Sequence, residues 1–146
     1  MPRISDARVL VMATSRFEES ELFGPREILL GKGARVTLAS LDLEPIMATV
    51  HDDPGKTIAP DLIIADAKEG DYDALLLPGG VGNPDRLRMD AGAIALIKAF
   101  DAAGKPIGAI CHAPWLLAEA DVRAALANFE FMRDKQVRSE DLVQKN

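Results

Sequence analysis

The residues of this chain with the clearest capacity for chemistry are its single cysteine, Cys111, and the histidine that follows it, His112. They come directly after a short apolar run, Ile107 to Ile110, which is typical of a buried parallel strand, and Pro114 suits the first turn of a helix. Cys111 would then occupy the sharp turn between strand and helix, close to a helix N-terminus whose dipole favours a thiolate. This arrangement predicts a nucleophile elbow built on cysteine.

An inert cysteine is the competing interpretation. Free cysteine is among the most buried residue types, and a lone one usually belongs to the core. Residues at i and i+1 do not face each other on a regular helix, so the adjacency of Cys111 and His112 alone establishes no pair. The elbow is an irregular position, which leaves their pairing open.

A thiol nucleophile also needs a group that tunes its proton and donors for an oxyanion. The backbone N–H groups of Gly79, Gly80 and His112 are candidates for the oxyanion hole, since glycine allows close backbone approach. Glu18 follows the first predicted strand and could reach Cys111 if that strand and the elbow strand are neighbours. The alternatives are a plain turn for the glycine pair and an ordinary acidic residue of a first helical turn for Glu18.

Other conspicuous residues are not predicted to take part in binding or catalysis. The loop 79–84 does not fit the glycine patterns that bind dinucleotides or nucleotide phosphates, so no cofactor is predicted. His51, which lies far along the chain from any cysteine, is expected to be a solvated turn residue, and Trp115 is expected to belong to the core.

The elements that must position these groups alternate between apolar strands and helical patterns. The predicted strands are Arg8 to Thr14, Ala34 to Ser40, Tyr72 to Leu77 and Ile107 to Ile110. One helical pattern runs to Lys32, with Glu18 and Glu21 near its start and Gly33 as its C-cap. A second covers Asp85 to Ala103, and short apolar pieces at 46–50 and 62–65 flank a predicted turn at 52–55. This alternation predicts an α/β fold with a mainly parallel sheet. In such sheets ligands bind beyond the carboxyl ends of the strands, where the segments 17–21, 79–85 and 111–112 would collect.

Length and composition set the class. The 146 residues suffice for one domain that buries its core without disulfides. One cysteine excludes an internal disulfide and, with two histidines, a compact Cys/His zinc site, so no metal is predicted. A net charge of −6 is a poor match to nucleic acid. The sequence shows neither a long apolar run nor a signal-peptide pattern, so a cytoplasmic protein without a membrane partner is expected.

Several segments together resemble the DJ-1/PfpI superfamily, which is related to the class I glutamine amidotransferase fold. The matching stretches are RVLVMAT, FEESEL, YDALLLPGG, PDRLR and KPIGAICHAPWLL, which cover the chain from about Arg8 to Val122 in family order. The CHAPW variant is most similar to the intracellular-protease and general-stress-protein branch. The resemblance implies a three-layer sandwich with a mainly parallel, flavodoxin-like sheet over residues 1–122.

The resemblance also implies roles for single residues. Cys111 corresponds to the nucleophile, His112 to its neighbouring base, and Glu18 to the glutamate that contacts the cysteine. Asp85 falls where some members place a glutamate that orients the histidine of a neighbouring subunit, and an aspartate is one methylene shorter. A site completed across subunits implies a homodimer or a larger ring.

The activities attached to such proteins are those of a cysteine peptidase, of a glyoxalase or deglycase acting on methylglyoxal and its adducts, and of redox-responsive protection or chaperoning. The leading expectation is a thiol-dependent stress-response hydrolase of the PfpI type, whose cysteine attacks the carbonyl of a peptide or of an α-oxoaldehyde or its adduct. The rivals are a non-catalytic redox sensor and a structural remnant with an unreactive cysteine. An amidotransferase is disfavoured, because that chemistry takes a downstream histidine and none follows His112.

The C-terminal part departs from the family pattern. Residues 123–146 are predicted to form an atypical helical segment of the same domain, with Val122, Leu126 and Phe129 on its apolar face. Family members normally continue with further strands, so a chain without them is expected to lack one sheet edge and part of the pocket wall.

Overall fold

The computed structural model describes residues 2–122, and the segment 123–146 lies outside the described residues, as does its predicted helix. Within 2–122 the strands are β1 Arg8–Met12, β2 Phe17–Glu18, β3 Arg35–Ser40, β4 Ile46–Val50, β5 Asp53–Ile58, β6 Leu62–Ile63, β7 Ala74–Leu77 and β8 Ile107–Ala109. The helices are α1 Glu19–Gly31, α2 Gly82–Leu87, α3 Ala91–Ala102 and α4 Pro114–Glu119. Short 3-10 turns cover Ile4–Asp6, Ile64–Asp66 and Glu69–Asp71.

Five strands form one parallel sheet in the order β6-β3-β1-β7-β8. The central strand β1 is buried from Val9 to Met12, because both of its faces are covered. Alternate side chains enter two separate cores. Leu10 and Met12 pack with α3 and α4 residues, whereas Val11 packs with Leu22 of α1. The predicted α/β fold with a parallel sheet between two helical layers is confirmed.

A second sheet of three strands, in the order β2-β4-β5, lies beside the first. The turn expected at 52–55 is wrong in its position: the chain turns at His51–Asp52, and β5 begins at Asp53. Pro54 is accommodated because β5 is an edge strand, where a missing backbone N–H need not break a ladder. The hairpin β4–β5 carries His51 at its tip.

The helical pattern expected over 85–103 is divided between two helices. Asp90 interrupts it, because its side chain accepts a hydrogen bond from the N–H of Ala93 at 2.8 Å and so caps a new helix. The helix expected to start near Glu18 and to end before Gly33 is α1, which runs from Glu19 to Gly31 and retains Pro25 in its interior.

The sheet order decides which segments meet at the carboxyl edge. β7 lies between β1 and β8, so the condition set for Glu18, that the first strand and the elbow strand are neighbours, is not met. The ends of β1, β7 and β8 nevertheless face one side, and the loops that follow them build a common cleft.

Candidate active site

The turn between β8 and α4 has the geometry of a nucleophile elbow. Cys111 has a φ of +57°, in the left-handed region that L-residues rarely occupy. The turn is held by two backbone bonds, from Ile110 N–H to the carbonyl of Leu77 at 3.1 Å and from Ala113 N–H to the carbonyl of Ile110 at 3.0 Å. Pro114 opens α4 as expected. The Cys111 residue is exposed, so the inert buried interpretation does not describe it.

The structure brings Cys111 and His112 into direct contact, although they are neighbours in sequence. The distance from Cys111 Sγ to His112 Nδ1 is 3.2 Å, within hydrogen-bonding reach for sulfur. The positive φ at Cys111 takes the two side chains out of regular helical geometry. The imidazole can therefore take or supply a proton at the sulfur, as a thiol nucleophile requires.

Trp115 also packs against the histidine ring. The ring centroids of His112 and Trp115 lie 5.2 Å apart, with an angle of 57° between the planes. Trp115 is 46% exposed, so its expected place in the core is wrong. The next two residues, Leu116 and Leu117, are buried in the core, because α4 turns them toward the sheet and Trp115 toward solvent.

Glu18 lies at the end of β2 and lines the same cleft as Cys111. Its carboxylate accepts the backbone N–H of His51, at 3.2 Å to Oε2 and 3.4 Å to Oε1. His51 is an exposed turn residue, as expected, and has a φ of +50°. The hairpin nevertheless brings it to the cleft, a proximity that its distance along the chain concealed.

Glu21, in the first turn of α1, is the carboxylate that sequence reasoning missed. Its Oε2 accepts the N–H of Gly79 at 2.7 Å. A Cβ atom added to Gly79 would clash with this carboxylate and would lie 2.7 Å from Cys111 Cβ. Glu21 and Cys111 therefore flank the same side of Gly79. The available signal was the spacing of three residues from Glu18, which places both acids at the start of α1.

The three backbone N–H groups expected to form the oxyanion hole differ in whether they already donate a hydrogen bond within the protein. The N–H of Gly79 is engaged by Glu21. The N–H groups of Gly80 and His112 donate to no acceptor among residues 2–122. Gly80 has a φ of +77°, and a Cβ there would lie 2.5 Å from the carbonyl oxygen of Arg16, so only glycine fits this position.

Asp85 lies apart from Cys111 within the chain. It is exposed on α2, with Oδ1 2.9 Å from Arg88 Nε. It lines a second cleft with Arg88, Trp115, Ala118 and Glu119. The two clefts meet at α4, whose first turn carries Trp115 beside His112. The role of Asp85 toward a neighbouring subunit stays a prediction.

The cleft at Cys111 has a volume of about 500 Å³, within the range of small-molecule sites. Its lining residues are Glu18, Ser20, Glu21, Thr49, His51, Asp52, Gly80, Val81, Cys111 and His112. Over residues 2–122, no three His, Cys, Asp or Glu side chains are grouped so as to hold a metal ion. No helix in that part of the chain is long and apolar enough to cross a membrane.

Comparison with known proteins decides the family. The DJ-1/PfpI family pattern matches residues 7–140. The chain belongs to the DJ-1/PfpI family. The fold agrees, since the crystal structure of Drosophila melanogaster DJ-1beta superposes with a TM-score of 0.71 and 29% identity, over 80% of this chain and 61% of that one.

Curated relatives of this DJ-1/PfpI protein carry several names. An uncharacterized protein of Archaeoglobus fulgidus is 41% identical over 77% of this chain and 64% of its own length. The deglycase PfpI of Pyrococcus furiosus is 31% identical over 79% of this chain and 66% of its own length. General stress protein 18 of Bacillus subtilis is 34% identical over 94% of this chain and 80% of its own length. The chain thus spans less than two thirds of the first two of these relatives.

Proposed function

We propose that this DJ-1/PfpI protein is a thiol-dependent hydrolase of the PfpI type, acting on α-oxoaldehydes or on the adducts they form with amines. One observation carries the proposal: an exposed Cys111 sulfur at a strained elbow, 3.2 Å from His112 Nδ1, in an open cleft. A relative that is named a deglycase supports it.

The residues present suffice for carbonyl chemistry. The Cys111 thiolate adds to the aldehyde carbon, a C–S bond forms, and the carbonyl electron pair moves to oxygen. That oxygen accepts hydrogen bonds from the N–H groups of Gly80 and His112 and takes its proton from the His112 ring. Transfer of the carbon-bound proton to the neighbouring ketone carbon, with the hydroxyl proton passing to the ketone oxygen, converts the adduct to the thioester of a 2-hydroxy acid. Water then releases the hydroxy acid and restores the thiol, so methylglyoxal plus one water gives lactate without an external oxidant.

The size of the cleft favours a small carbonyl over a folded polypeptide. A volume of about 500 Å³ accommodates an aldehyde or a modified side chain. The peptide bond is the alternative carbonyl, because the cleft is open and an extended segment could enter it. Parallel assays with methylglyoxal and a fluorogenic peptide separate these substrates.

Cys111→Ser is the decisive variant. We expect methylglyoxal consumption and lactate formation by the wild type, and a loss on the order of 10³-fold or more in Cys111→Ser. Ser5→Ala, a change of similar size on an exposed 3-10 turn outside the cleft, serves as the control and keeps wild-type turnover. Turnover by Cys111→Ser equal to that of the control would refute the proposal.

A redox sensor is the second candidate, favoured by the exposure of a thiol that has no second cysteine to pair with. Without a disulfide partner in the chain, oxidation proceeds to sulfenic and then sulfinic acid. This function requires peroxide-dependent addition of one or two oxygen atoms at Cys111, seen by mass spectrometry, together with no turnover of any carbonyl substrate. Efficient turnover of methylglyoxal would exclude it as the sole function.

A further inference from the structure

Asn83, in the first turn of α2, is fully buried and has every side-chain hydrogen-bonding atom engaged. Its Oδ1 accepts the N–H of Thr14 at 2.8 Å. Its Nδ2 donates to the carbonyl of Pro78 at 2.9 Å and to the carbonyl of Gly79 at 3.1 Å. The orientation of the amide is unambiguous, because a backbone N–H only donates and a carbonyl only accepts.

These bonds orient two successive peptide planes. In a trans peptide the C=O and the following N–H point in opposite directions. With the carbonyl of Pro78 held by Asn83, the N–H of Gly79 points away from Asn83 and donates to Glu21 at 2.7 Å. With the carbonyl of Gly79 held in the same way, the N–H of Gly80 also points away from Asn83.

The direction of the Gly80 N–H matters because Gly80 lines the Cys111 cleft. This N–H has no acceptor among residues 2–122, although the neighbouring loop atoms are well paired. The loop packs closely here, since a Cβ atom built on Gly80 would lie 2.5 Å from the carbonyl oxygen of Arg16 and 2.8 Å from the backbone nitrogen of Glu18. An unpaired donor is thus held at the cleft by a buried side chain that does not touch the cleft.

We propose that Asn83 is a positioning residue for the oxyanion hole: it turns the N–H of Gly79 onto Glu21 and the N–H of Gly80 toward the oxygen that develops on the substrate. The inference rests on the proposed function, since an oxyanion forms only if Cys111 attacks a carbonyl. Asn83 acts through Pro78, Gly79 and Gly80, and its own atoms stay buried in the loop.

Two substitutions separate this role from packing. Asn83→Asp keeps the shape and the acceptor for Thr14 but replaces the donor to the two carbonyls by an acceptor. Asn83→Ala removes all three hydrogen bonds and replaces Asn83→Asp as the test variant if the latter does not fold. Leu87→Ala is the matched control, because Leu87 is also fully buried on α2 and does not line the cleft.

Three measurements are made on each folded variant, below its melting temperature. Steady-state kinetics with methylglyoxal should show kcat reduced by about tenfold to a hundredfold in the Asn83 variants, with KM within about threefold of wild type. Alkylation of Cys111 by iodoacetamide, a displacement that forms no oxyanion, should change by less than about threefold. The amide resonances of Gly79 and Gly80 in ¹⁵N-correlated NMR spectra should move in the Asn83 variants and stay in place in Leu87→Ala.

The outcomes are distinguishable. An active wild type whose Asn83 variants keep full kcat, or whose Leu87→Ala variant loses as much kcat, overturns the positioning role and leaves the proposed function standing. A wild type without carbonyl turnover overturns the proposed function, and the positioning role falls with it. Loss of kcat with unchanged alkylation and shifted glycine amides, confined to the Asn83 variants, supports both.

Discussion

The two ends of the parallel sheet are built in contrasting ways. At the carboxyl end, three non-glycine residues around the cleft have positive φ: Arg16, His51 and Cys111. The N–H groups of Gly80 and His112 are unpaired there among residues 2–122. At the amino end, charged side chains close the sheet with ion pairs, Arg8 with Asp73 and Lys105 with Glu69.

The amino end shows what satisfied polar groups look like in this protein. Asp73 accepts the backbone N–H of Arg8 at 2.8 Å and donates its own N–H to the Arg8 carbonyl at 2.7 Å. Lys105 Nζ donates to the carbonyls of Tyr72 and Glu69. These bonds tie the starts of β1, β7 and β8 together.

The contrast between the two ends separates stability from function: polar groups are paired at the amino end, whereas the candidate site lies at the carboxyl end. Strained backbone and unpaired donors cost free energy, and they persist only where surrounding structure holds them in place. Here buried Leu10, Met12, Leu75 and Leu77 supply the apolar support behind the carboxyl end. Four tests, ordered from the largest expected effect to the smallest, examine this division.

Gly79→Ala should produce the largest effect. Its Cβ would lie 2.5 Å from the carbonyl oxygen of Ile110 and 2.7 Å from Cys111 Cβ, and it would displace Glu21. We expect turnover to fall on the order of a hundredfold and the free energy of unfolding to fall by about 1–3 kcal/mol. Gly24→Ala, whose Cβ meets no atom within 4 Å, is the control and should keep both values in kinetics and thermal melts. Wild-type turnover in Gly79→Ala would show that the close packing of this loop is unimportant.

Glu21→Gln and Glu18→Gln form a matched pair. Charge-assisted hydrogen bonds are about twice as strong as neutral ones. Glu21 anchors Gly79 beside Cys111, whereas Glu18 anchors the more distant hairpin at His51. We therefore expect Glu21→Gln to lower kcat about tenfold and Glu18→Gln about threefold. The reverse order, measured with methylglyoxal, would identify Glu18 as the acid that serves the thiol, as the family resemblance implies.

Cys111→Gly should stabilise the protein relative to Cys111→Ala. Alanine retains a Cβ at a φ of +57°, and glycine relieves this strain at some cost in unfolded-chain entropy. The expected gain in the free energy of unfolding is about 0.5–1 kcal/mol, measured by urea titration. Equal free energies of unfolding in the two variants would mean that the elbow stores no strain, contrary to the strained backbone inferred for the carboxyl end.

Asp73→Asn should produce the smallest effect, confined to the amino end. The Arg8 side chain, and then its backbone N–H, hold the pKa of Asp73 below its ordinary value. A carboxyl with a lowered folded-state pKa adds stability above its unfolded-state pKa, and that increment is lost as the pH falls through its folded-state pKa. The melting temperature of Asp73→Asn should therefore fall less than that of wild type between neutral and acidic pH.

Arg8→Gln, alone and combined with Asp73→Asn, completes a double-mutant cycle for this pair. Turnover at neutral pH should be unchanged in all three variants, since none contacts the cleft. A pH dependence in Asp73→Asn identical to that of wild type would assign the acid sensitivity to other carboxylates.

Local patterns were sufficient for much of the fold. The apolar runs that became β1, β3, β7 and β8 were located to within two residues, because buried parallel strands are continuous apolar segments. The elbow at Cys111 followed from a strand ending beside Pro114. The helical periodicity did not predict the break at Asp90, because a single capping side chain divides that stretch into two helices.

The residues that surround Cys111 were less predictable from sequence, because contacts between distant segments decide them. Glu18 and Glu21 are equivalent as acids at the start of one helix, and the place of β7 between β1 and β8 brings Gly79 to both Glu21 and Cys111. Asn83 resembled an ordinary loop residue until its three buried bonds were seen. Asp85 was expected in the site, but within the chain its carboxylate pairs with Arg88 and lines a separate cleft.

Sequence alone thus determined the parallel α/β architecture, the elbow and the family, because each depends on short stretches of chain with a characteristic order of apolar and turn-forming residues. Tertiary structure alone decided that Glu21 accepts the N–H of Gly79, that the N–H of Gly80 is unpaired among residues 2–122, and that buried Asn83 holds the carbonyls of Pro78 and Gly79. The physical reason is that a side chain's direction and its hydrogen-bond partners depend on strand order and packing. Residues 58 positions apart, such as Glu21 and Gly79, carry no local record of their contact.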